Sequence, residues 1–300
     1  IPAAGEKKRV VIVGAGPAGL EAARVAGERG HDVTVFEAAA EAGGQVRLTA
    51  KSKRRSEMIG IIDWRMAQCQ RLGVTFRFNT YAEASDIESL SPDVVIIATG
   101  GLPHTEVLKE GNDLVVSSWD ILTGDVKPGS NVLLYDDAGD HPALMAAEVI
   151  TQAGSKVEIM TPDRSFAPDV MGMNLVPYMR ALQKHDVTFT VTFRLESVVK
   201  DGNLLKAVIG SDYGGVRKER SFDQIVVNHG TRPLDELYFT LKPRSRNLGE
   251  VDYAALIAGK PQKMATNPAG RFMLFRIGDA VAARNTHAAI YDALRLVKDI

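Results

Sequence analysis

Three glycines near the start of the chain, Gly14, Gly16 and Gly19, have the spacing of a nucleotide-binding turn. They follow a short apolar run, and an alanine-rich segment with helical spacing begins at Pro17 and Ala18. In this arrangement the first glycine permits a tight turn, the second lets a pyrophosphate approach the backbone, and the third lets helix and strand pack closely. We expect free N–H groups at the start of the helix to bind the phosphates.

Glu37 lies 18 residues after Gly19, at the end of the next predicted strand. An acidic residue in this place can accept hydrogen bonds from both hydroxyls of an adenosine ribose, and its charge repels a 2′-phosphate. The glycine turn and Glu37 together predict a site for an adenine dinucleotide or for ADP.

Three further motifs favour a flavin nucleotide over NAD, which shares the first turn. A Gly-Gly-Gln sequence soon after Glu37 offers a second close approach of the backbone, and an Ala-Thr-Gly sequence ends a later strand. Near the C-terminus, Asp279 could accept hydrogen bonds from ribityl hydroxyls, although an aspartate in this place can equally cap a helix. The cofactor-binding residues predicted from these motifs and their neighbours are Gly44, Gln45, Arg47, Ala98, Thr99, Gly100, Gly278, Asp279 and His287.

Two residues of this set, Arg47 and His287, can also be explained by structural roles that involve no cofactor. Arg47 could reach a phosphate or could form a surface salt bridge. His287 opens the helix after Asp279, so it could lie beside the flavin or could serve in packing.

A second strand–helix–strand pattern covers residues 132–160 and resembles a degenerate copy of the first. Its turn reads Asp136-Asp137-Ala138-Gly139-Asp140, so one glycine remains and three carboxylates stand where a pyrophosphate would bind. Because like charges repel, we expect this copy to keep the nucleotide-binding fold without binding NAD(P)H.

The apolar runs at residues 10–13, 33–36, 94–98 and 132–135 predict strands buried on both faces of parallel sheets. Alternating segments at 187–199 and 204–209 predict antiparallel strands. The predicted fold class is α/β, with two Rossmann-like nucleotide-binding domains, each three-layered around a parallel sheet. We expect a discontinuous FAD/ADP-binding domain at 1–125 plus 229–300 and a degenerate NAD(P)-like domain at 126–228.

Composition excludes several classes of function. The net charge of −1 leaves no basic excess for a nucleic-acid or membrane partner, and no apolar run approaches the roughly 18 residues of a membrane span. Cys69 is the single cysteine, so the chain alone cannot form a disulfide, a cysteine-rich zinc site or an iron–sulfur cluster. We expect no metal site and a cytoplasmic location.

The order of these motifs, followed by Gly-Thr-Arg-Pro at 230–233 and Ile-Gly-Asp-Ala at 277–280, resembles the flavoproteins with two dinucleotide-binding domains. Within them, the chain looks most like the C-terminal half of the trimethylamine dehydrogenase and 2,4-dienoyl-CoA reductase family. The resemblance covers essentially all 300 residues. Residues 134–141, 278–284 and 287–292 look most like the methylamine branch, such as dimethylglycine demethylases.

This resemblance implies an α/β fold with two Rossmann-like FAD/NAD(P)-binding domains of the disulfide-reductase type, and FAD as the cofactor of the chain. It further implies an upstream TIM barrel that holds FMN and a [4Fe–4S] cluster, in the same polypeptide or as a separate chain, and an electron-transfer flavoprotein as acceptor. No residue of the chain is a convincing acid, base or nucleophile. We therefore expect substrate oxidation to take place in the barrel, and we expect the chain to be part of a longer polypeptide.

Three alternatives stay open. A complete FAD-dependent NAD(P)H reductase would need an intact second glycine turn. A non-catalytic module would hold ADP as a structural ligand and carry no flavin. A free-standing subunit would co-purify with a separate barrel chain.

Overall fold

The computed structural model describes residues 1–300, which form two compact units. Unit 1 consists of Ile1–Leu102 and Arg232–Ile300, and unit 2 consists of Pro103–Thr231. Unit 1 is therefore built from both ends of the chain, and unit 2 is inserted between them.

The regular elements alternate between strand and helix along most of the chain. The strands are β1 (Arg9–Val13), β2 (Asp32–Phe36), β3 (Thr75–Arg77), β4 (Val94–Ile97), β5 (Gly101–Pro103), β6 (Val116–Ser117), β7 (Asn131–Asp136), β8 (Lys156–Met160), β9 (Val187–Thr190), β10 (Arg194–Asp201), β11 (Leu204–Gly210), β12 (Arg217–Phe222), β13 (Gln224–Asn228), β14 (Thr231–Pro233) and β15 (Met273–Arg276). The α-helices are α1 (Pro17–Glu28), α2 (Gln45–Ala50), α3 (Gly60–Arg71), α4 (Ala84–Ser89), α5 (Ser118–Thr123), α6 (His141–Gln152), α7 (Gly172–Leu182), α8 (Glu236–Leu241), α9 (Tyr253–Ile257) and α10 (Thr286–Val297). No helix has both the length and the apolar composition to cross a membrane.

Unit 1 is a three-layer fold around a parallel sheet with the strand order β15-β4-β1-β2-β3. Val10 and Ile12 of β1 face a core shared with α1, α3 and α10, whereas Val11 and Val13 face a second core that includes Tyr238 of α8. Successive side chains of a strand point to opposite faces, so a strand covered on both faces is apolar throughout. This explains the continuous apolar runs in the sequence.

Unit 2 contains a parallel sheet with the order β6-β13-β7-β8-β9, which repeats the pattern of unit 1. Helix α6 packs against β7, β8 and β13. An antiparallel sheet, β10-β11-β12, contributes Ala207 and Ile209 to a core with Leu133 and Ile225 of the parallel sheet. The α/β class with parallel sheets is thus confirmed.

Two details differ from the sequence-based expectations. The chain passes into unit 2 after residue 102, earlier than the expected boundary at 125, because β6 pairs with β13 and α5 packs against α6. Residues Val187–Thr190 pair parallel to β8 and are therefore an edge strand of the parallel sheet, whereas an antiparallel strand was expected there. Their half-buried pattern reflects that edge position.

Candidate dinucleotide site

The first glycine turn connects β1 to α1 and is closed tightly by backbone atoms. Gly14 has a φ of +103°, and a Cβ there would overlap the carbonyl oxygen of Ala98. A Cβ on Gly19 would overlap the carbonyl oxygen of Gly14, so this position lets α1 pack onto the end of β1. The Gly14 N–H donates to the Phe36 carbonyl at 2.8 Å, which joins the turn to β2. Only glycine fits at Gly14 and Gly19.

Gly16 has a different environment from its two neighbours in the motif. No heavy atom lies within 4 Å of the position that its Cβ would take. A Cβ on Gly44, which has a φ of +52°, would lie 3.4 Å from the Cα of Gly16. The turn at Gly44 therefore lies beside the first glycine turn, and the backbone at Gly16 is open to a ligand. A pyrophosphate needs this kind of approach to N–H groups at the start of a helix, so these residues fit a dinucleotide.

Glu37 is held next to the turn by two backbone donors. Its Oε2 accepts from the Ala15 N–H at 2.7 Å, and its Oε1 accepts from the Ala39 N–H at 2.8 Å. A carboxylate has about four acceptor positions, so both oxygens keep capacity for ribose hydroxyls. The two amides fix the orientation that a bidentate contact to a ribose requires.

Removal of the Glu37 carboxylate should weaken dinucleotide binding without abolishing it. We expect Glu37→Ala to lose two ribose hydrogen bonds to a charged acceptor, which corresponds to about 3–6 kcal/mol of binding free energy. We expect Glu37→Gln to be milder, because its amide oxygen can still accept from the Ala15 N–H. Calorimetric titration of the apoprotein with FAD measures both values. Equal affinities in the wild type and in Glu37→Ala would contradict this role.

The Ala-Thr-Gly motif supports the turn from the end of β4. The Ala98 N–H donates to the Val13 carbonyl at 2.8 Å, and the Ala98 carbonyl faces Gly14. The Thr99 hydroxyl donates to the Leu234 carbonyl, and the Leu234 N–H donates to the Gly100 carbonyl at 3.0 Å. These three polar groups of the motif are thus hydrogen-bonded within unit 1, and the place of the motif at the end of β4 beside the glycine turn is the feature that a ligand would meet.

Gln45 and Asp279, which are far apart in sequence, are joined directly. The Gln45 Nε2 donates to Asp279 Oδ2 at 3.1 Å, and the Asp279 Oδ1 accepts from the Arg284 N–H at 3.4 Å. A Cβ on Gly278 would lie 2.9 Å from the Cβ of Ala18, so the end of β15 lies close to the start of α1. Burial raises the pKa of Asp279, while the Arg284 N–H and Gln45 oppose this shift. The structure thus brings the glycine turns and the C-terminal motif into one place.

The side chains of Arg47 and His287 form no hydrogen bond or ion pair with Gly14, Gly16 or Gly19, although the Arg47 N–H donates to the Gly44 carbonyl at 3.1 Å and the Arg47 side chain lies beside Gly43. Arg47 forms an ion pair with Glu41 at 2.6 Å, and its Nε donates to the Ala42 carbonyl. His287 is exposed in the first turn of α10. Their role at a cofactor stays a prediction, and the surface salt bridge considered for Arg47 is present.

The degenerate turn of unit 2 contains a buried polar network that the sequence analysis did not identify. The side-chain amide of Asn228 donates to Asp136 Oδ1 at 2.9 Å and to Asp140 Oδ1 at 2.8 Å. The Ser118 hydroxyl donates to Asn228 Oδ1 at 2.9 Å. Asp136 is 2% exposed and also accepts from the Gly139 N–H at 3.0 Å. An asparagine that ends an apolar strand was the one signal of this network in the sequence.

Protein groups close this second turn where the first turn is open. Asp140 immediately precedes α6, as Gly16 immediately precedes α1, and it carries a side chain that Gly16 lacks. A Cβ on Gly139 would lie 2.7 Å from Pro168 Cδ, so that proline packs directly on the remaining glycine. Asp137 is paired with His229 Nδ1 at 2.8 Å. All three carboxylates of the turn therefore have partners within unit 2.

The buried Asp136 should make the stability of the protein depend on pH. Burial raises the pKa of Asp136 to about 7, although Asn228 and backbone N–H groups oppose the shift. Because the folded state holds this proton more tightly than the unfolded state, the free energy of unfolding should fall as pH rises from about 4 to about 7. We expect Asp136→Asn, which cannot ionise, to reduce this decline, and urea unfolding across that pH range measures it.

Asp140 and Asp279 should leave part of the decline in that variant. Burial also raises the pKa of each of these carboxyls, so Asp136→Asn should retain a smaller dependence on pH. The asparagine oxygen can accept from the same N–H groups, so the turn should keep its structure. An identical pH profile in the wild type and in the variant would contradict the assignment to Asp136.

The comparisons with known proteins agree with this geometry. The model of the pyridine nucleotide-disulphide oxidoreductase family matches residues 8–127. Over 98% of its length the chain is 73% identical to a "Probable N-methylproline demethylase" of Rhizobium meliloti (strain 1021), of which it covers 43%. Over 99% of its length it is 46% identical to an "N,N-dimethylglycine/sarcosine dehydrogenase" of Chromohalobacter salexigens, of which it covers 44%. A solved structure of 2-naphthoyl-CoA reductase with its CoA thioester matches the whole chain at 29% identity with a TM-score of 0.81, and the chain covers 41% of it.

The chain spans less than half the length of these relatives. The family match confirms the predicted disulfide-reductase type of the fold, and the relatives confirm the resemblance that the motif order predicts. The chain is thus a homologue of one portion of these demethylases and dehydrogenases, and its residues 8–127 match the model of the pyridine nucleotide-disulphide oxidoreductase family.

Proposed function

We propose that the chain is the FAD-binding portion of a flavoprotein oxidoreductase that demethylates N-methylated amines. The observation that carries this proposal is the open backbone at Gly16, with Gly44 beside it and Glu37 held next to the turn. The match to the model of the pyridine nucleotide-disulphide oxidoreductase family implies FAD binding. The names of the two relatives at 73% and 46% identity support an N-methylated amino acid as the substrate class of the whole protein.

The residues of the chain would bind and orient the dinucleotide. The N–H groups of the turn between β1 and α1 would hold the pyrophosphate, Glu37 would accept the ribose hydroxyls, and Asp279 would accept ribityl hydroxyls. Gln45 would fix the Asp279 carboxylate through its side-chain amide. The flavin, when bound, supplies the ability to accept and pass on electrons. None of these side chains acts on a substrate.

The substrate chemistry belongs to the remaining portion of the protein in this proposal. That portion would be an FMN-binding barrel with a [4Fe–4S] cluster, and electrons would leave to a protein acceptor of the electron-transfer-flavoprotein kind. The coverage of 43% of the demethylase relative leaves ample length for such a region. Cys69 cannot supply a cluster alone, and burial raises its pKa to about 12, so its thiolate is not available near neutral pH.

The nucleotide that co-purifies with the chain tests the proposal directly. Mass spectrometry of the released nucleotide, together with the visible absorbance spectrum, should identify FAD. Release of ADP without flavin absorbance would instead favour the non-catalytic ADP-binding module. Release of neither nucleotide, together with no binding of added FAD, would reject the site.

A further inference from the structure

A second polar cleft lies in unit 1 at the opposite end of the strands that carry the glycine turn. It has a volume of about 260 Å³. Arg9 begins β1, Asp93 precedes β4, and Phe272 precedes β15, so the cleft lies at the amino ends of these three strands. The glycine turn and Asp279 follow the carboxyl ends of the same strands. The cleft is therefore separate from the proposed FAD site.

Arginines dominate the lining of this cleft. Arg9, Arg246 and Arg271 line it, together with the carboxylates of Glu88 and Asp93. An additional arginine, Arg244, lies beside the cleft and binds Glu88 at 2.9 Å. The cationic groups therefore outnumber the anionic groups in and beside the cleft.

The two carboxylates are already used by protein groups. Glu88 is shared between Arg244 and Arg271, the latter at 3.7 Å. Asp93 Oδ2 accepts from the backbone N–H of Arg9 at 2.7 Å. The guanidinium group of Arg9 has no carboxylate partner, and that of Arg246 has only a long hydrogen bond from its Nε to a backbone carbonyl, at 3.4 Å. Two arginines that line the cleft thus have guanidinium groups without a carboxylate partner.

The segments that carry these arginines are fixed by backbone contacts. The Arg246 N–H donates to the Phe272 carbonyl at 2.8 Å, and the Arg271 N–H donates to the Arg244 carbonyl at 3.0 Å. A Cβ on Gly270 would overlap the backbone nitrogen of Arg246, so the two segments approach more closely than a side chain would allow. The buried Asn247 side chain bonds to the Leu274 N–H at 2.9 Å and to its carbonyl at 2.8 Å. The bases of the arginines are therefore positioned before any ligand binds.

We propose that this cleft binds the phosphoryl group of a small phosphorylated ligand. Guanidinium groups donate several N–H bonds in a planar fork that matches phosphate oxygens. The arginines of the cleft belong to separate segments of the chain. A phosphoryl group offers them about two negative charges and three acceptor oxygens, whereas a single carboxylate offers one charge and two oxygens. The larger charge and the additional oxygen match the two unpaired guanidinium groups and Arg271.

Pyrophosphate titration of the FAD-loaded chain tests this proposal, because bound FAD prevents the probe from entering the glycine turn. We expect saturable binding by calorimetry at low ionic strength. Arg9→Gln and Arg246→Gln should each weaken it about tenfold, since each removes a charged hydrogen-bond donor. Lys263→Gln is the matched control, because Lys263 is an exposed cation of unit 1 outside the cleft, and it should bind as the wild type does.

The same titration with acetate, a single carboxylate, distinguishes phosphoryl from carboxylate recognition. Acetate should bind at least about tenfold more weakly than pyrophosphate. Binding of acetate as tight as that of pyrophosphate would overturn the phosphoryl assignment. Absence of saturable pyrophosphate binding, or equal losses in Lys263→Gln and the arginine variants, would overturn the site. Thermal unfolding of each variant identifies any that loses binding through misfolding, and the two arginine positions are tested independently.

Discussion

Gly16→Asp should fold as the wild type does and should bind no dinucleotide. The position of a Cβ at Gly16 has no protein atom within 4 Å, so the new side chain enters only the space that a ligand would use. Its carboxylate would fill the approach to the backbone N–H groups. It would also repel a pyrophosphate, and two like charges about 4 Å apart repel by about 1–4 kcal/mol in surface-like surroundings.

The ratio of nucleotide to protein after purification measures this effect, and thermal unfolding shows whether the variant is folded. Gly5→Asp is the matched control, because Gly5 also has no heavy atom within 4 Å of its Cβ position but lies outside the turn. We expect Gly5→Asp to retain its nucleotide. Full occupancy in Gly16→Asp would contradict the assignment of the pyrophosphate site.

Gly19→Val should lose the nucleotide by a different route. A Cβ at Gly19 overlaps the Gly14 carbonyl oxygen, so valine must separate α1 from the end of β1. This variant should therefore lower the thermal stability of unit 1 as well as the occupancy, whereas Gly16→Asp should lower the occupancy alone. Comparison of the two variants therefore distinguishes loss of the binding surface from loss of the packing of α1.

The sequence predicts the first turn well because that turn is local. Gly14, Gly16 and Glu37 lie in one strand–helix–strand unit, where the motif specifies both the conformation and the order of elements. The Ala15 and Ala39 N–H groups that hold Glu37 could not be foreseen, because the approach of a side chain to backbone amides depends on the register between β1 and β2.

Contacts between distant segments are the part that the sequence does not specify. The bond from Gln45 to Asp279 depends on the placement of β15 beside β4, which no local pattern encodes. The same reason explains Asn228, whose amide bridges two aspartates only because β13 pairs with β7. Local motifs identified Gln45 and Asp279 but not Asn228, and the sheet order decided the partners of all three.

The FAD-loaded protein should not be reduced efficiently by NADH or NADPH. Hydride transfer requires a bound nicotinamide held against the flavin, so a turn that cannot hold the pyrophosphate removes the main source of binding energy. In unit 2 the Asp140 side chain stands at the start of α6, and Pro168 packs on Gly139. Residues 131–155 contain no lysine or arginine that could offset the carboxylates.

Hydrogen bonds to the carboxylates of the unit 2 turn strengthen this expectation beyond what the number of charges alone would give. Asn228 binds both Asp136 and Asp140, so a dinucleotide would have to break hydrogen bonds of a buried network before it reached the backbone. Removal of one partner from a buried carboxylate leaves the full cost of its desolvation. Protonation of Asp136, whose pKa burial raises to about 7, would lessen the repulsion but would leave the turn closed.

Anaerobic mixing with a large excess of NADH, and separately of NADPH, tests this prediction through the flavin absorbance band. We expect no rapid loss of the band with either nucleotide, whereas dithionite should remove it and so prove that the flavin can be reduced. Loss of the band within about a second of mixing, as typical enzyme turnover would give, would contradict the prediction and favour the complete NAD(P)H reductase. Calorimetric titration with NADH provides the second readout. Saturable binding by the Gly16→Asp variant that Arg9→Gln and Arg246→Gln leave unchanged would place a nucleotide outside both the first turn and the arginine cleft, and would contradict the prediction equally.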